Sequence, residues 1–195
     1  MKPAISAELQ RLHQLAWRAG TWMDQGWWHE LDLSPWQQSY QHHPVCRPAL
    51  DRLIAKRRNF PKTPMPASLT PRQQAMLALE PRLPRLLTAL GLLAMECPDY
   101  LLLGSYRRPL AACLGERGCD QLLALSTFSS PRQPDLAPEQ VAAAALDLGT
   151  RWWRSADPNC PVQASLSILL PPGPAEPMPV IGDAMQWLMR IGRFL

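Results

Sequence analysis

Proline is the residue that most restricts how this chain can fold. The sequence contains 22 prolines among 195 residues, about twice the usual share of roughly 5%. Proline lacks a backbone N–H and its ring clashes with the preceding turn, so it is tolerated in the first turn of a helix and at sheet edges but disrupts element interiors. The chain is therefore expected to form short elements separated by proline-containing turns.

The composition predicts a folded domain outside the membrane. The hydrophobic share is 47% and the charged share 18%, with a formal net charge of +4, and a chain of this length can bury most of its apolar surface. The longest apolar stretch, residues 86–95, is far shorter than the roughly 20 residues that span a bilayer. The first 20 residues carry charged and polar side chains where a signal peptide requires an apolar segment. We therefore expect a cytoplasmic protein with a single compact domain.

The spacing of apolar residues predicts a mainly α fold. Thr70, followed by Pro71 and then Gln73, is typical of a capping box that opens a helix over residues 71–79. The next helix ends at Cys97-Pro98, and its apolar face recurs at helical spacing: Leu83, Leu86, Leu87, Leu90, Leu93 and Ala94. Further helices are predicted over residues 6–20, 48–58, 106–114, 117–125, 139–153 and 181–195, with a helical turn over residues 98–104.

Residues 162–168 have a different period. Apolar side chains (Val162, Ala164, Leu166, Ile168) alternate with polar ones (Gln163, Ser165, Ser167). This alternation is typical of a half-buried strand, so we expect one short strand here, in a fold with at most one or two. We divide the chain into an N-terminal helix with an irregular Trp-rich segment (1–60), a Pro-rich connector (61–70), a helical core (71–156) and a C-terminal part (157–195) packed on the same domain.

No spacing of reactive groups indicates an enzyme or a metal site. The sequence has neither a GxSxG nucleophile motif nor a glycine-rich phosphate loop. His42, His43 and Cys46 lack the second ligand pair of a structural zinc site. The five cysteines contain no CxxC pair, so we interpret them as reduced and mostly buried thiols. We expect no catalytic residues, no cofactor and no metal.

Basic and aromatic residues indicate binding instead. Lys56-Arg57-Arg58, Arg107-Arg108 and the arginines of residues 151–154 raise the possibility of nucleic-acid binding. A net charge of +4, dispersed in short runs, is weaker than the clustered stripe of a dedicated nucleic-acid binder. The eight tryptophans include the adjacent pairs Trp27-Trp28 and Trp152-Trp153. Neighbours in a helix diverge by about 100°, so one ring of a pair can lie in the core and the other at an interface.

Residues 98–110, PDYLLLGSYRRPL, resemble the SctK family of bacterial type III secretion, which includes YscK, PscK, OrgA and MxiK. The resemblance extends to the leucine-rich helix ending at Cys97, to residues 119–125 and to LSILLPP at residues 166–172, and so covers the last two-thirds of the chain. It implies a structural adaptor of the cytoplasmic sorting platform, which links the inner-membrane ring protein SctD to the SctQ pods. Such an adaptor binds proteins at the cytoplasmic face of the inner membrane and needs neither nucleic acid nor a small-molecule substrate.

Six residues are candidates for partner binding, because interface energy concentrates in Trp, Tyr and Arg and helical periodicity does not assign these residues to the core. They are Trp27, Trp28, Trp36, Tyr106, Arg107 and Arg108. We expect the two arginines to face solvent and to pair with acidic groups of a ring or pod protein, and the tryptophans to meet another partner or the protein's own core. A secretion chaperone or regulator, and a nucleic-acid-binding protein, remain the alternatives.

Overall fold

The computed structural model describes residues 6–126, 132–173 and 182–195. These residues contain α-helices and 3₁₀ turns and no β-strand, which confirms the predicted mainly α fold. The helices, in chain order, are α1 (Ala7–Trp17), α2 (Ala19–Trp22), α3 (Gly26–Glu30), α4 (Gln37–His42), α5 (Arg47–Arg57), α6 (Pro71–Ala78), α7 (Leu83–Met95), α8 (Asp99–Leu102), α9 (Gly104–Leu114), α10 (Glu116–Leu125), α11 (Pro138–Ala156), α12 (Pro161–Leu166) and α13 (Ala184–Ile191).

The prolines lie where a helix tolerates them. The predicted capping box is present, since the side chains of Thr70 and Gln73 each bond the backbone N–H of the other residue. Pro109 is an exception, because it lies inside α9 and not in its first turn. First-turn prolines open five helices: Pro48, Pro71, Pro84, Pro138 and Pro161.

The strand predicted over residues 162–168 is wrong, because these residues form α12 and a 3₁₀ turn, Ser167–Leu169. The alternation misled because polar residues here are buried as well as apolar ones: Gln163 and Ser165 are at most 3% exposed. The hydroxyl of Ser165 donates to the carbonyl of Pro161 (2.7 Å) and that of Ser167 to the carbonyl of Gln163 (2.9 Å). Serine can therefore lie on the inner side of a helix, because its hydroxyl bonds the preceding turn.

The Trp-rich segment was predicted to be irregular, and it folds into separate helical turns instead. Residues 21–48 contain α3, α4 and the 3₁₀ turns Ser34–Trp36 and Pro44–Cys46. Each piece has at most six residues, which is less than two full helical turns. No sustained apolar period can develop over so few residues. The predicted helix over residues 6–20 also divides, at Arg18, into α1 and α2.

The chain divides into two compact units, each described separately below. Unit 1 comprises the residues up to Glu80 together with Asp157–Gly173, and unit 2 comprises Pro81–Ala156 together with the residues from Pro174 on. The four segment boundaries expected from the sequence remain a prediction. In unit 1, α1 packs on α2, α5, α6 and α12. Buried leucine and isoleucine side chains at Leu12, Leu15 and Ile54 form part of its core.

A buried carboxyl group joins three helices of unit 1. Asp51 in α5 is 6% exposed and accepts hydrogen bonds from the backbone N–H of Gly20 (3.0 Å) and the hydroxyl of Tyr40 (3.0 Å). Burial raises the pKa of Tyr40 to about 12, so the phenol stays protonated and can donate. Burial also raises the pKa of Asp51, against the lowering effect of the Gly20 and Tyr40 hydrogen bonds.

Two glycines set the distance between the two longest helices of unit 2. A Cβ atom on Gly91 of α7 would lie 1.8 Å from the carbonyl oxygen of Ala145 in α11. A Cβ atom on Gly149 of α11 would lie 1.9 Å from the carbonyl oxygen of Leu87. The two backbones are therefore in direct contact, and neither position has room for any side chain. Helices α9 and α13 pack on the α7–α11 pair.

This contact predicts that glycine-to-alanine substitutions differ sharply in their effect on stability. Gly91→Ala or Gly149→Ala should lower the free energy of unfolding by at least about 2 kcal/mol, because backbone atoms cannot yield as a flexible side chain does. Gly104→Ala is the matched control, since nothing lies within 4 Å of its Cβ position. Urea denaturation followed by circular dichroism measures all three. Equal stability of Gly149→Ala and Gly104→Ala would contradict the backbone contact.

The raised pKa of Asp51 predicts a pH dependence of stability. Between its ordinary pKa of 3.8 and its higher native pKa, the unfolded state loses a proton that the native state keeps. The free energy of unfolding should therefore fall as the pH rises through this interval. Asp51→Asn should remove this decrease, and Asp24→Asn should keep it. Urea denaturation at a series of pH values measures the effect, and parallel curves for the parent and Asp51→Asn would contradict it.

Candidate functional site

The structure places Trp28 in the core of unit 1. Its side chain is 3% exposed, and its ring meets that of Tyr40 edge to face at 5.4 Å. This packing also positions the Tyr40 hydroxyl against Asp51. A partner has almost no access to Trp28, so of the two roles expected for the tryptophans this residue has the core role.

Trp27 and Trp36 differ in exposure. Trp27 is half-buried and its indole N–H donates to the carbonyl of Leu170 at 2.9 Å. The guanidinium of Arg58 lies over the same ring at 5.4 Å and donates to the carbonyl of Ala164. Trp27 therefore connects α3 with the segment that follows α12. Trp36, in contrast, is 53% exposed and remains available to a partner.

In unit 2, Tyr106 supports the start of α9 from the inside. Its ring meets Tyr100 edge to face at 5.1 Å, and Tyr100 is almost fully buried. The hydroxyl of Tyr100 donates to Asp135 (2.8 Å) and accepts from the backbone N–H of the same residue (3.2 Å). Tyr106 is therefore a half-buried packing residue.

The expectation that both arginines face solvent is wrong for Arg107. Its guanidinium pairs with Glu116 (2.8 Å) and Asp120 (2.7 Å) of α10 and donates to the carbonyl of Leu101 (3.2 Å). Hydrogen bonds to the two carboxylates raise the pKa of Arg107. Arg107 thus joins α8, α9 and α10. Arg108 is exposed and makes no ion pair with any residue that the structure describes.

Sequence reasoning missed the two residues that stand out most at this place. Leu102 is 55% exposed and Leu103 is 46% exposed, at the junction of α8 and α9. Leu103 is the N-cap residue of α9 and makes no side-chain capping bond. A signal was present, because neighbouring residues of a helix point about 100° apart and three successive leucines at 101–103 cannot all point inward. We call Leu102 and Leu103 the leucine surface.

Exposed apolar side chains also occur in unit 1. Trp17 is 46% exposed, Trp22 is 42% exposed and Val45 is 90% exposed. The ring of Trp22 is covered by the guanidinium of Arg11 at 3.9 Å, and Arg11 forms an ion pair with Glu80. Trp22 is therefore already stacked within unit 1, whereas the side chain of Val45 is almost fully in contact with solvent.

The cysteines are less buried than expected. Cys97 and Cys119 are buried, Cys160 is half-buried, and Cys46 and Cys113 are exposed. Burial raises the pKa of the Cys97 and Cys119 thiols, which disfavours the nucleophilic thiolate. Within residues 6–126, 132–173 and 182–195, no three His, Cys, Asp or Glu side chains are grouped closely enough to hold a metal ion. No helix in these ranges is both long and apolar enough to cross a bilayer.

Within the described residues, these features define a helical protein whose prominent surface groups are exposed apolar side chains, which mark protein-interaction sites where they form a patch, together with the exposed Arg108. The chain belongs to a family of type III secretion system subunits, whose family model matches residues 10–172. The match begins within α1 and includes all of α2–α12, and therefore the leucine surface. No curated protein and no solved structure gives a significant match.

The positions of the tryptophans lead to a stability prediction. Trp28→Ala should lower the free energy of unfolding by about 3–5 kcal/mol, because it leaves a cavity beside Tyr40. Trp36→Ala should change it by no more than about 0.5 kcal/mol, as exposed substitutions usually do. Urea denaturation measures both values. A Trp28→Ala variant as stable as Trp36→Ala would exclude the core position of Trp28.

Proposed function

We propose that this protein is a non-enzymatic adaptor of the type III secretion sorting platform, which links the inner-membrane ring protein SctD to the SctQ pods. It acts at the cytoplasmic face of the inner membrane. Membership in a family of type III secretion system subunits supports the secretion role. The resemblance of residues 98–110 to the SctK family supports the adaptor role within it.

The exposure of the leucine surface is the observation that best supports the proposal. Exposing two adjacent leucines to water forgoes the stabilisation that their burial would give. Leucine is also among the poorest N-cap residues, because it cannot accept a hydrogen bond from the first turn, as Ser, Thr, Asp or Asn can. Leu103 therefore stabilises the free protein poorly both as an exposed residue and as a helix cap. A contact with a partner protein explains both properties.

The surrounding residues hold the leucine surface in place. Tyr100 and Leu101 are buried on the opposite side of α8, and Arg107 fixes the start of α9 against α10 through Glu116 and Asp120. A rigid apolar surface loses little conformational entropy when it binds. Arg108 adds one exposed cation, which could pair with a carboxylate of the partner.

A secretion chaperone or regulator is the alternative that the same surface allows, because a secreted client could also cover exposed leucines. The nucleic-acid alternative gains little support. Of the run Lys56-Arg57-Arg58, Arg57 donates to the carbonyls of Leu31 and Asp32, and Arg58 donates to Ala164 and stacks on Trp27. Lys56 is left as the exposed member of the run without a bond to a described residue.

The test is to replace the leucines without harming the fold. Leu102→Ser combined with Leu103→Ser should abolish co-purification with SctD or with SctQ. The melting temperature should stay unchanged or rise, because serine at the N-cap stabilises a helix by about 1 kcal/mol relative to an apolar residue. Affinity purification from secreting cells and differential scanning fluorimetry measure the two effects.

The matched control keeps an apolar side chain at the same positions. Leu102→Met with Leu103→Met should retain both partners, since methionine is similar in size and adapts to apolar surfaces. Undiminished recovery of SctD and SctQ with the double serine variant would refute the docking role. Stoichiometric recovery of a secreted client, without ring or pod protein, would favour the chaperone alternative.

A further inference from the structure

A second surface, on α5 of unit 1, is formed by residues at helical spacing. Val45, Pro48, Arg52 and Lys56 are three, four and four residues apart and all are exposed. They therefore follow one side of the helix and the turn before it, over about 16 Å. We call these four residues the cationic face. Ala49 lies among them and is also exposed.

The opposite side of α5 fixes the direction of the cationic face. Leu50, Asp51, Ile54 and Ala55 are buried. Asp51 accepts hydrogen bonds from Gly20 and Tyr40, so a rotation of α5 would break a buried polar network. The cationic face is thus presented by a helix whose orientation is set by its core side.

The two cations of this face have no counterion among the residues that the structure describes. Arg52 donates through its Nε to the carbonyl of Pro48 in its own helix, at 3.2 Å, and neither Arg52 nor Lys56 forms an ion pair with a described residue. In the same unit, Arg11 is paired with Glu80. The one carboxylate of α5, Asp51, is buried on the other side. The helix macrodipole favours a cation in the last turn, where Lys56 lies, but it does not account for Arg52 in the middle of α5.

We infer that the cationic face docks an acidic amphipathic helix of a partner protein. Two carboxylates spaced three or four residues apart would meet Arg52 and Lys56, and an apolar side chain one or two turns away would cover Val45 and Pro48. Opposite charges on the two surfaces fix the register of such a contact and raise its association rate. The inference rests on the proposed function only in expecting this partner within the secretion apparatus, and it uses no residue of the leucine surface.

Two properties favour a protein over nucleic acid or an anionic membrane. Two cations neutralise few phosphates, whereas nucleic-acid affinity grows with the number of phosphates contacted. Val45 is 90% exposed and Pro48 is exposed beside it, and a contact with nucleic-acid phosphates gives these apolar side chains nothing to pack against. An anionic membrane attracts a surface cation by only about 1 kcal/mol, so two cations hold the protein there weakly. A partner helix supplies both carboxylates and apolar cover within the same three turns.

The experiment places a photo-crosslinking amino acid at position 49 of the full chain in cells that carry the secretion system. The crosslinked peptide is then identified by mass spectrometry. We expect a protein segment with two acidic residues three or four positions apart. Arg52→Glu with Lys56→Glu should lower the crosslink yield about tenfold or more, because like charges then face each other. Lysine at the two acidic positions of the partner should restore the yield.

Lys62→Glu with Arg117→Glu is the matched control. It causes the same change in formal net charge at exposed positions outside the cationic face, and its crosslink yield should equal that of the parent. A crosslink to nucleic acid or lipid, a peptide without the acidic pair, a yield unaffected by the charge reversal, or no crosslink would overturn the inference. An acidic peptide from a protein outside the secretion apparatus would uphold the docking chemistry and refute only the expectation that the partner belongs to that apparatus, since the adaptor function is tested separately at the leucine surface.

Discussion

The direct contact between the backbones of α7 and α11 is the constraint on which unit 2 depends. The carbonyl oxygens of Ala145 and Leu87 occupy the space that a Cβ atom would need at Gly91 and Gly149. This approach lets five of the six leucines of α7, all but Leu93, and Trp153 of α11 bury almost completely. Helix α9 packs on both of these helices, so the position of the leucine surface at its start depends on two residues that have no side chain.

The fold was predictable where local rules and burial agree. Local sequence favours a helix start at the capping box of Thr70 and at the first-turn prolines, and it favours burial of one side of α7. The folded structure has all three features. Prediction failed at α12, where packing encloses polar as well as apolar residues. Ser165 is fully buried because its hydroxyl bonds the carbonyl of Pro161, and the period of two then carries no information about which side faces the core.

The candidate site was less predictable, because residue type does not say whether a side chain is already in use. Trp28 and Arg107 have the residue types that interfaces favour, yet Trp28 packs on Tyr40 and Arg107 is held by Glu116 and Asp120. Leu102 and Leu103 are of types common in cores, yet both are exposed. Only the three-dimensional arrangement shows which side chains already have partners within the protein. The run of three leucines was the one sequence signal that some of them are exposed.

The same distinction changes the meaning of the net charge. A total of +4 suggests weak electrostatics, but a partner senses charges within a Debye length of about 8–10 Å rather than the sum over the chain. In unit 1, Asp51 is buried and Glu80 is paired with Arg11, so neither carboxylate offsets the cations of α5. Arg52 and Lys56 form no ion pair with a described residue either, so both keep an unpaired charge at the surface of a nearly balanced molecule. The class of partner follows from where the fold leaves its charges, and for α5 that class is an acidic protein surface.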